Sequence, residues 1–592
     1  MEKQDLESGK KLVTDSNLST KDVEVKFVPP DPRNGDAKVD IENIKCVFTG
    51  MGKEELMKYA DDPFWVRTRW ILFIGFWAIW VAMLAGAISI IVLAPKCTNA
   101  PKLWWETSPI YKVDARSYAG GKIKDMEPKL DFIKSLGVRN LILSSVLKSV
   151  STDEPDDFIE DYKTVDPSVG TMEEFESFVK TANNKDLKVQ LAFAPNHSSN
   201  KHPWFLQSEK KVEPFTDYYV WKPQNGSGKD GNLVPPNNWL SVNGGPAWTW
   251  SETRGEFYYH HFGENQPDLN FRNPAVNNAF KDIFDFWLNK GVTGFELEKV
   301  QYLFEDKDLK AEPPKAVLNG NSDPYSSIDH KYTTYQPELP SFIEDWKKLL
   351  TARSGILIAR DLISEKKSAA HLNARSFKVD QNISAASLYQ TVKPYLDTSP
   401  WPVWQWSCPK SKVGKEPCKQ DILNGLQIIS LLLPGTPVIN GGQELSSGTV
   451  RSSLAPSIPA ANSATPVAVI TPANGLDPVS VNSASDIFKI VAEARNSSAF
   501  LHGSTEIKVL KEIFAFTRVK MGNPSYLVAF NPSVETVAAN FSDMKNVPDK
   551  LTVEVWSKPL NQLNIPAKAQ LESRDVTIPP GTALICSFTP RI

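Results

Sequence analysis

Neither sign of charge prevails in this chain. Its 592 residues carry 66 Lys and Arg against 69 Asp and Glu, a formal net charge of −3, so the balance gives no reason to expect a nucleic-acid partner. No glycine-rich loop of the kind that cradles phosphate occurs, and no motif calls for a metal or a cofactor. Cysteine is scarce, five in all, so each can be weighed singly. Uncharged, proline-free runs long enough to cross a bilayer are absent but for one. The rest is ordinary for globular protein: 41% hydrophobic and 23% charged residues allow a sizeable core, and the length suggests two or three domains. Tryptophan is plentiful, at seventeen.

The exception is the run Trp70–Ala94, "WILFIGFWAIWVAMLAGAISIIVLA", without a charge. As a helix it would be about 37 Å long at about 1.5 Å per residue, enough to span a hydrocarbon core of about 30 Å with some tilt. The residues ahead of it, 1–69, are too many and too polar for a cleavable signal peptide, which points to an uncleaved signal-anchor. Lys53, Lys58, Arg67 and Arg69 precede the run and Lys96 and Lys102 follow it; the excess on the N-terminal side predicts a cytosolic N-terminus and a C-terminal bulk on the outside, a single-span type II membrane protein in contact with lipid. Residues 1–40 read as a disordered tail. Ala78, Ala82 and Gly86 recur every four residues and would permit close approach of a second membrane helix.

An extracellular bulk should show secretory chemistry. Sequons begin at Asn196, Asn225, Asn382, Asn496 and Asn540, candidate N-glycosylation sites; Asn17 begins another on the cytosolic side. Cys46 should stay reduced, whereas Cys97, Cys408, Cys418 and Cys586 fall in oxidising space. Cys408 and Cys418 flank the short loop "CPKSKVGKEPC", which a disulfide would close. Cys586 shares a strand face with Leu584 and Phe588 and reads as a buried free thiol. Cys97 follows Pro95 on a non-helical stalk just beyond the span; an intermolecular disulfide and a free juxtamembrane thiol are both open for it.

The chain therefore divides into a cytosolic tail (1–69), a membrane helix (70–94), a stalk (95–108), a domain of alternating strands and helices (109–502) interrupted by an irregular insert at about 198–265, and a tail of short strands (503–592). Alternation such as "RNLILSSV" before "TMEEFESFVKTANN" predicts parallel strands with helical crossovers, a (β/α)8 TIM-type barrel. The last segment reads as an antiparallel β-sandwich.

Three stretches of that domain, "NHSSNKHPWF" at 196–205, "QPDLNFRNPAV" at 266–276 and "LLLPGTPVINGGQEL" at 431–445, resemble the α-amylase superfamily of glycoside hydrolases and occur in that family's order. The resemblance implies where the working acids should stand. Retaining hydrolysis needs a nucleophilic carboxylate and a protonated acid about 5–5.5 Å apart, and this family adds a third acid. In the fourth-strand motif Gly294-Phe295 persist, but Glu296 replaces an arginine and Glu298 stands at the nucleophile position. The fifth-strand motif should end in Gly-Glu, where this chain has Ala359-Arg360. The His-Asp pair is replaced by Pro409-Lys410, and the first-motif Asp by Ala192, although Asn196 and His197 remain. A guanidinium cannot serve as the proton donor. The expectation is a barrel without hydrolytic activity, in which repulsion between Glu296 and Glu298 raises a carboxyl pKa.

"TGMGKEELMKYADDPFWVRTRWILFIGFWAIWVAMLAGAISIIVLAPKC", followed by "KLWWETSPIYKV", resembles the heavy subunits of heteromeric amino-acid transporters. That resemblance implies an ancillary glycoprotein that escorts a polytopic light chain to the plasma membrane, with Cys97 at the position that bonds to the partner. Two alternatives are a membrane-anchored α-glucosidase using Glu298 and Asp361, and a cell-surface scaffold whose partners are adhesion receptors.

Overall fold

The computed structural model describes residues 53–93, 102–226, 233–315, 324–362, 369–379, 383–399, 401–407, 419–442, 469–470, 479–480, 484–557 and 568–591. Cys97, Cys408, Cys418, Pro409, Lys410 and Asn382 lie outside the described residues, as do Cys46, Asn17 and the 1–40 tail. Two compact units are present, the first ending at Thr98 and the second beginning at Asn99.

In the first unit, helix α1 (Pro63–Leu93) starts seven residues before the charge-free run. Pro63 at its first position needs no N–H partner, and the Asp62 carboxylate accepts from the Phe64 N–H at 3.0 Å, a polar cap that fixes the start. Charge marks only the apolar stretch; the cap marks the helix, which is why Arg67 and Arg69 fall inside it. Within Pro63–Ile90 the most apolar window has a mean hydropathy of 2.3 and none of it is buried by the rest of the chain, as befits a helix apolar on all sides. Ala78, Ala82 and Gly86 lie exposed on it.

The second unit is built on a closed parallel barrel. Its strands are β1 (Ile110–Asp114), β2 (Asn140–Ser144), β3 (Lys188–Phe193), β4 (Gly294–Leu297), β5 (Ile356–Arg360), β6 (Leu372–Lys378), β7 (Pro402–Ser407) and β8 (Thr436–Asn440), paired in chain order and closed by β8 on β1. Helices α2 (Leu130–Ser135), α3 (Met172–Asn184), α4 (Pro274–Asn289), α5 (Leu339–Ala352), α6 (Ala385–Thr398), α7 (Gln420–Leu432) and α8 (Ala484–Ala494) punctuate or follow them. In α4, Asn273 caps the Ala275 N–H at 2.9 Å, and Val276, Phe280, Ile283, Phe284 and Trp287 form one buried stripe.

Strand alternation sorts the barrel residues into two sets. Leu357 and Ala359 join the outer core under the helices, while Ile110, Ile142, Ala192, Ile356, Ile358, Leu372, Ala374, Val403 and Val438 fill the interior as an aliphatic layer. Gly294 is required there, because a Cβ would stand 2.4 Å from the Ile356 carbonyl oxygen. Trp104 and Trp105, in a short helix Trp104–Thr107, pack against this layer from the strands' N-terminal end. The segment 95–108 is thus not stalk throughout: from Trp104 onward it is the floor of the barrel, because two indoles bury more apolar surface there than an extended linker would.

The insert is more regular than its composition suggests. It forms a helix (Pro203–Glu209) and a three-stranded antiparallel sheet of Trp221–Lys222, Glu256–Tyr259 and Trp248–Ser251, around a small core that includes Trp239, Trp248 and Tyr259.

Six antiparallel strands, β9 (Ser504–Leu510), β10 (Ile513–Val519), β11 (Ser525–Asn531), β12 (Lys550–Trp556), β13 (Gln570–Glu572) and β14 (Thr582–Phe588), form the C-terminal sheet in the order β9-β10-β11-β14-β12-β13. One face (Phe514, Phe516, Val528, Phe530, Ile585) belongs to the barrel's outer core. The approach is close: a Cβ on Gly425 of α7 would stand 2.1 Å from the Phe530 ring. The other face, with Leu584, Cys586 and Phe588, forms its own core with a two-stranded ribbon of Val537–Ala539 and Val576–Ile578. Cys586 is a free, fully buried thiol.

Candidate functional site

At the C-terminal end of the barrel strands, where such barrels carry their active sites, charged side chains fill the mouth. Glu296 on β4 points inward and is fully buried; it neighbours Ala192 of β3 in the ladder. Lys112, inward on β1, ion-pairs with Glu296 at 2.7 Å and with Glu298 at 2.8 Å. Arg360, at the inward-facing end of β5, pairs with Glu296 and reaches Glu298 through Nε at 3.2 Å. It also donates to the Gln405 side-chain oxygen of β7, and Gln405 in turn donates to Asn440 of β8 at 2.9 Å. Side chains from five strands are thus tied across the mouth, two acids against two bases.

This arrangement overturns the expected repulsion between the glutamates. Burial does push the Glu298 carboxyl upward, but Lys112 and then Arg360 outweigh it and hold the group at about 2. For Lys112, burial and the Arg360 charge act downward, yet Glu296 and Glu298 prevail and its pKa is raised; Arg360 is raised by the same acids against burial. Opposite charges within 4 Å outweigh the like charge two residues away. Lys112, Gln405 and Asn440 were not singled out from the sequence. The signal available was a lysine at an inward position of "IYKVD", between apolar neighbours.

Chemically the cluster is self-satisfied. Glu298 is ionised but its charge is spent on two cations, and the residue opposite it is a guanidinium rather than a protonated acid. Asp361 lies one residue beyond β5 in the left-handed region (φ 54), with its backbone N–H on the Ala374 carbonyl and its carbonyl oxygen accepting from the Tyr335 hydroxyl at 2.8 Å; burial raises its carboxyl pKa against the nearby Arg360 charge. At the rim, Asp157 pairs with Lys299 at 2.6 Å. Asp156 accepts from the Ser145 N–H at 2.7 Å, and burial, then Glu298, raises its carboxyl to about 7. Among the described residues no group of three or more His, Cys, Asp or Glu is placed to hold a metal ion.

The retained Asn196 and His197 are structural. Asn196 is 1% exposed, and its amide donates to Asp268 at 3.0 Å and to the Tyr302 carbonyl at 2.7 Å. This corrects the reading of Asn196 as a glycosylation site, since the nitrogen a glycan would occupy is buried and engaged. His197 is equally buried, and burial, with Lys299 adding to it, keeps the ring neutral. Asn225, Asn496 and Asn540 are exposed.

With this geometry in hand, the likenesses of the chain become interpretable. The family described as alpha amylase, catalytic domain, matches residues 110–407, and the solute carrier family 3 member 2 N-terminus matches residues 36–111. The amino acid transporter heavy chain SLC3A1 of Mus musculus is 33% identical over 443 residues, covering 68% of this chain and 62% of that relative; its Homo sapiens counterpart is 31% identical over 432 residues, with the same coverage. This chain therefore spans less than two thirds of the length of those relatives. Maltase 1 of Drosophila virilis is 38% identical over 256 residues, 42% of this chain and 40% of that one. Among solved structures, the alpha-glucosyl transfer enzyme XgtA superposes with a TM-score of 0.65 at 24% identity, covering 83% of this chain and all of that one, a likeness of fold.

Proposed function

Because the chain belongs to the α-amylase family and carries ahead of its barrel the N-terminal segment of solute carrier family 3 heavy chains, we propose that it is the ancillary heavy chain of a heteromeric amino-acid transporter. In this reading α1 crosses the plasma membrane once with the N-terminus in the cytosol. A polytopic light chain supplies the transport route, which one helix cannot line. Cys97 links the two chains, supplemented by non-covalent contacts of the helix and the outer domain. The barrel serves as a scaffold and does not hydrolyse sugars. The observation that carries this last point is Arg360, paired to both glutamates where a glycosidase keeps its proton donor. Against the α-glucosidase alternative, Glu298 is held ionised by two cations and Asp361 stands one residue beyond β5 with its backbone in the left-handed region.

The test has two arms on the full chain in native membranes. Non-reducing gels should show a species heavier than the monomer that collapses with thiol and is absent in Cys97→Ser, while a light chain still co-purifies with the variant in reduced yield. The purified protein should release no glucose from maltose or an aryl glucoside; turnover abolished by Glu298→Gln would overturn the assignment.

A further inference from the structure

A cluster of unpaired cations lies where the C-terminal sheet meets the floor of the barrel. Arg518 on β10 is 2% exposed. Its Nε and Nη2 donate to carbonyls of the short helix Ser498–His502, to Ala499 at 3.3 Å and to Phe500, while Nη1 is buried without a partner. Burial, and then the charge of Arg495, lowers the Arg518 pKa to about 9, and no carboxylate offsets either guanidinium. Arg518 is therefore a cation at neutral pH, in a place where an uncompensated charge is costly.

Three more basic groups stand over it. The register Ser504↔Val519 between β9 and β10 sets Lys520 opposite Gly503 and beside His502. Burial, then the charges of Lys520, Lys102 and Arg518, lowers the pKa of the His502 ring, so the ring lies within the field of all three. Lys102 holds its ammonium 4.1 Å from the centroid of the Trp401 ring. Among the described residues, Lys102, Arg495, Arg518 and Lys520 form no ion pair. Lys102, His502 and Lys520 are half-buried, so the cluster opens to water while Arg518 adds its charge from beneath. Like charges gathered in this way repel one another, and a bound anion relieves the repulsion where a cation or a neutral ligand would not.

We propose that Lys102, His502 and Lys520 hold a small anion of the phosphate class above Arg518, at the seam between the barrel and the C-terminal sheet. Its source is either free inorganic anion or the headgroup of an anionic lipid. The test is chlorine NMR of the full chain in a neutral detergent at constant ionic strength, in which chloride exchanging from a protein site broadens the free-ion line. Inorganic phosphate and dioctanoyl phosphatidylglycerol serve as competitors. The expected result is excess broadening that saturates with chloride and is displaced by at least one competitor. The affinity should be about threefold weaker in Lys520→Met and about tenfold weaker when Lys102→Met is added, the sizes expected of one and two partly exposed charges. Displacement by phosphate ahead of the lipid identifies the free anion, and the reverse order the headgroup. Broadening that does not saturate, that neither competitor displaces, or that keeps its affinity in the double variant overturns the proposal.

Discussion

Arg360 and Arg495 sit at opposite ends of one barrel, both almost wholly buried, and are held in different ways. At the mouth, Arg360 faces two carboxylates, which raise its pKa against burial. At the floor, Arg495 has only backbone: it donates to the carbonyls of Thr107 at 3.1 Å, Leu431 at 2.8 Å, Glu106 at 3.0 Å and Gly435, and burial lowers its pKa to about 10. The mouth neutralises charge with charge; the floor spends one cation to satisfy several carbonyls and to tie the short helix Trp104–Thr107 to the barrel. An enzyme would leave the mouth open and polar for its substrate. Here Lys112, Arg360 and Arg495 already have partners within the chain.

The comparison is most exposed to failure at the mouth. Removing one member of a buried ion pair costs about 3–5 kcal/mol, whereas replacing both with apolar groups can be close to neutral. Glu296→Leu leaves Lys112 and Arg360 to share the one carboxylate of Glu298, so it should lower unfolding stability by about 3–5 kcal/mol in urea melts. Adding Arg360→Met leaves Lys112 and Glu298 as an intact pair, and the double variant should be more stable than Glu296→Leu alone by about 1–3 kcal/mol, the size of coupling expected for groups in contact. Additive losses would mean that the cluster is not the closed network described above.

The floor should give the next largest effect. Arg495→Met leaves at least four carbonyl oxygens short of a donor, at about 1–3 kcal/mol each if all stayed dry. Because the 104–107 segment can lift and admit water, the loss should be nearer 2–3 kcal/mol in the same melts, with Trp104 and Trp105 becoming more accessible to quenchers. A loss larger than that of Glu296→Leu would show the floor, rather than the mouth, to be the stiffer end.

Much of this barrel is legible in the chain. Alternating apolar strands and amphipathic helices mark the fold, and strand alternation is enough to place Ala192, Glu296 and Arg360 inward. Lys112 escapes, because a lysine flanked by apolar residues reads as the wet side of a half-buried strand and its partners lie 184 and 186 residues away, beyond any local pattern. The error over Glu298 has the same origin: the like charge is near in sequence, the two cations only near in space. Asn196 misleads for a different reason. A sequon records three residues and says nothing of burial, while this asparagine's amide is committed to Asp268 and Tyr302. The helix start and the floor depend on contacts, the Asp62 cap and the indole packing, which hydropathy does not register.

The smallest effect, and the one that most sharpens the picture of the mouth, is a pH dependence with two limbs. Asp156 has a folded pKa of about 7, raised from 3.8 by burial and then by Glu298. Its folded form binds a proton more tightly than the unfolded chain does, so its ionisation costs stability. That cost is absent below the unfolded pKa, grows as pH rises through it, and is complete above about 7. Glu298 runs the other way: depressed from 4.5 to about 2, it contributes stability that is whole above 4.5 and is lost as pH falls toward 2. Over pH 8 to 5 the Asp156 contribution is a gain on acidification, on the order of 1–2 kcal/mol once solvent screening at this partly exposed rim is allowed for. It opposes the buried His197, His202 and His261, whose pKa values burial holds below 6.5 so that the unfolded chain takes up their protons first. Asp156→Asn keeps an oxygen to accept the Ser145 N–H but cannot ionise. Subtracting its melts from those of the wild type should therefore isolate a limb that rises as pH falls from 8 to 5, with the loss below 4.5 common to both proteins. A difference that stays flat between pH 5 and 8 would free the rim of the barrel from any part in the pH dependence.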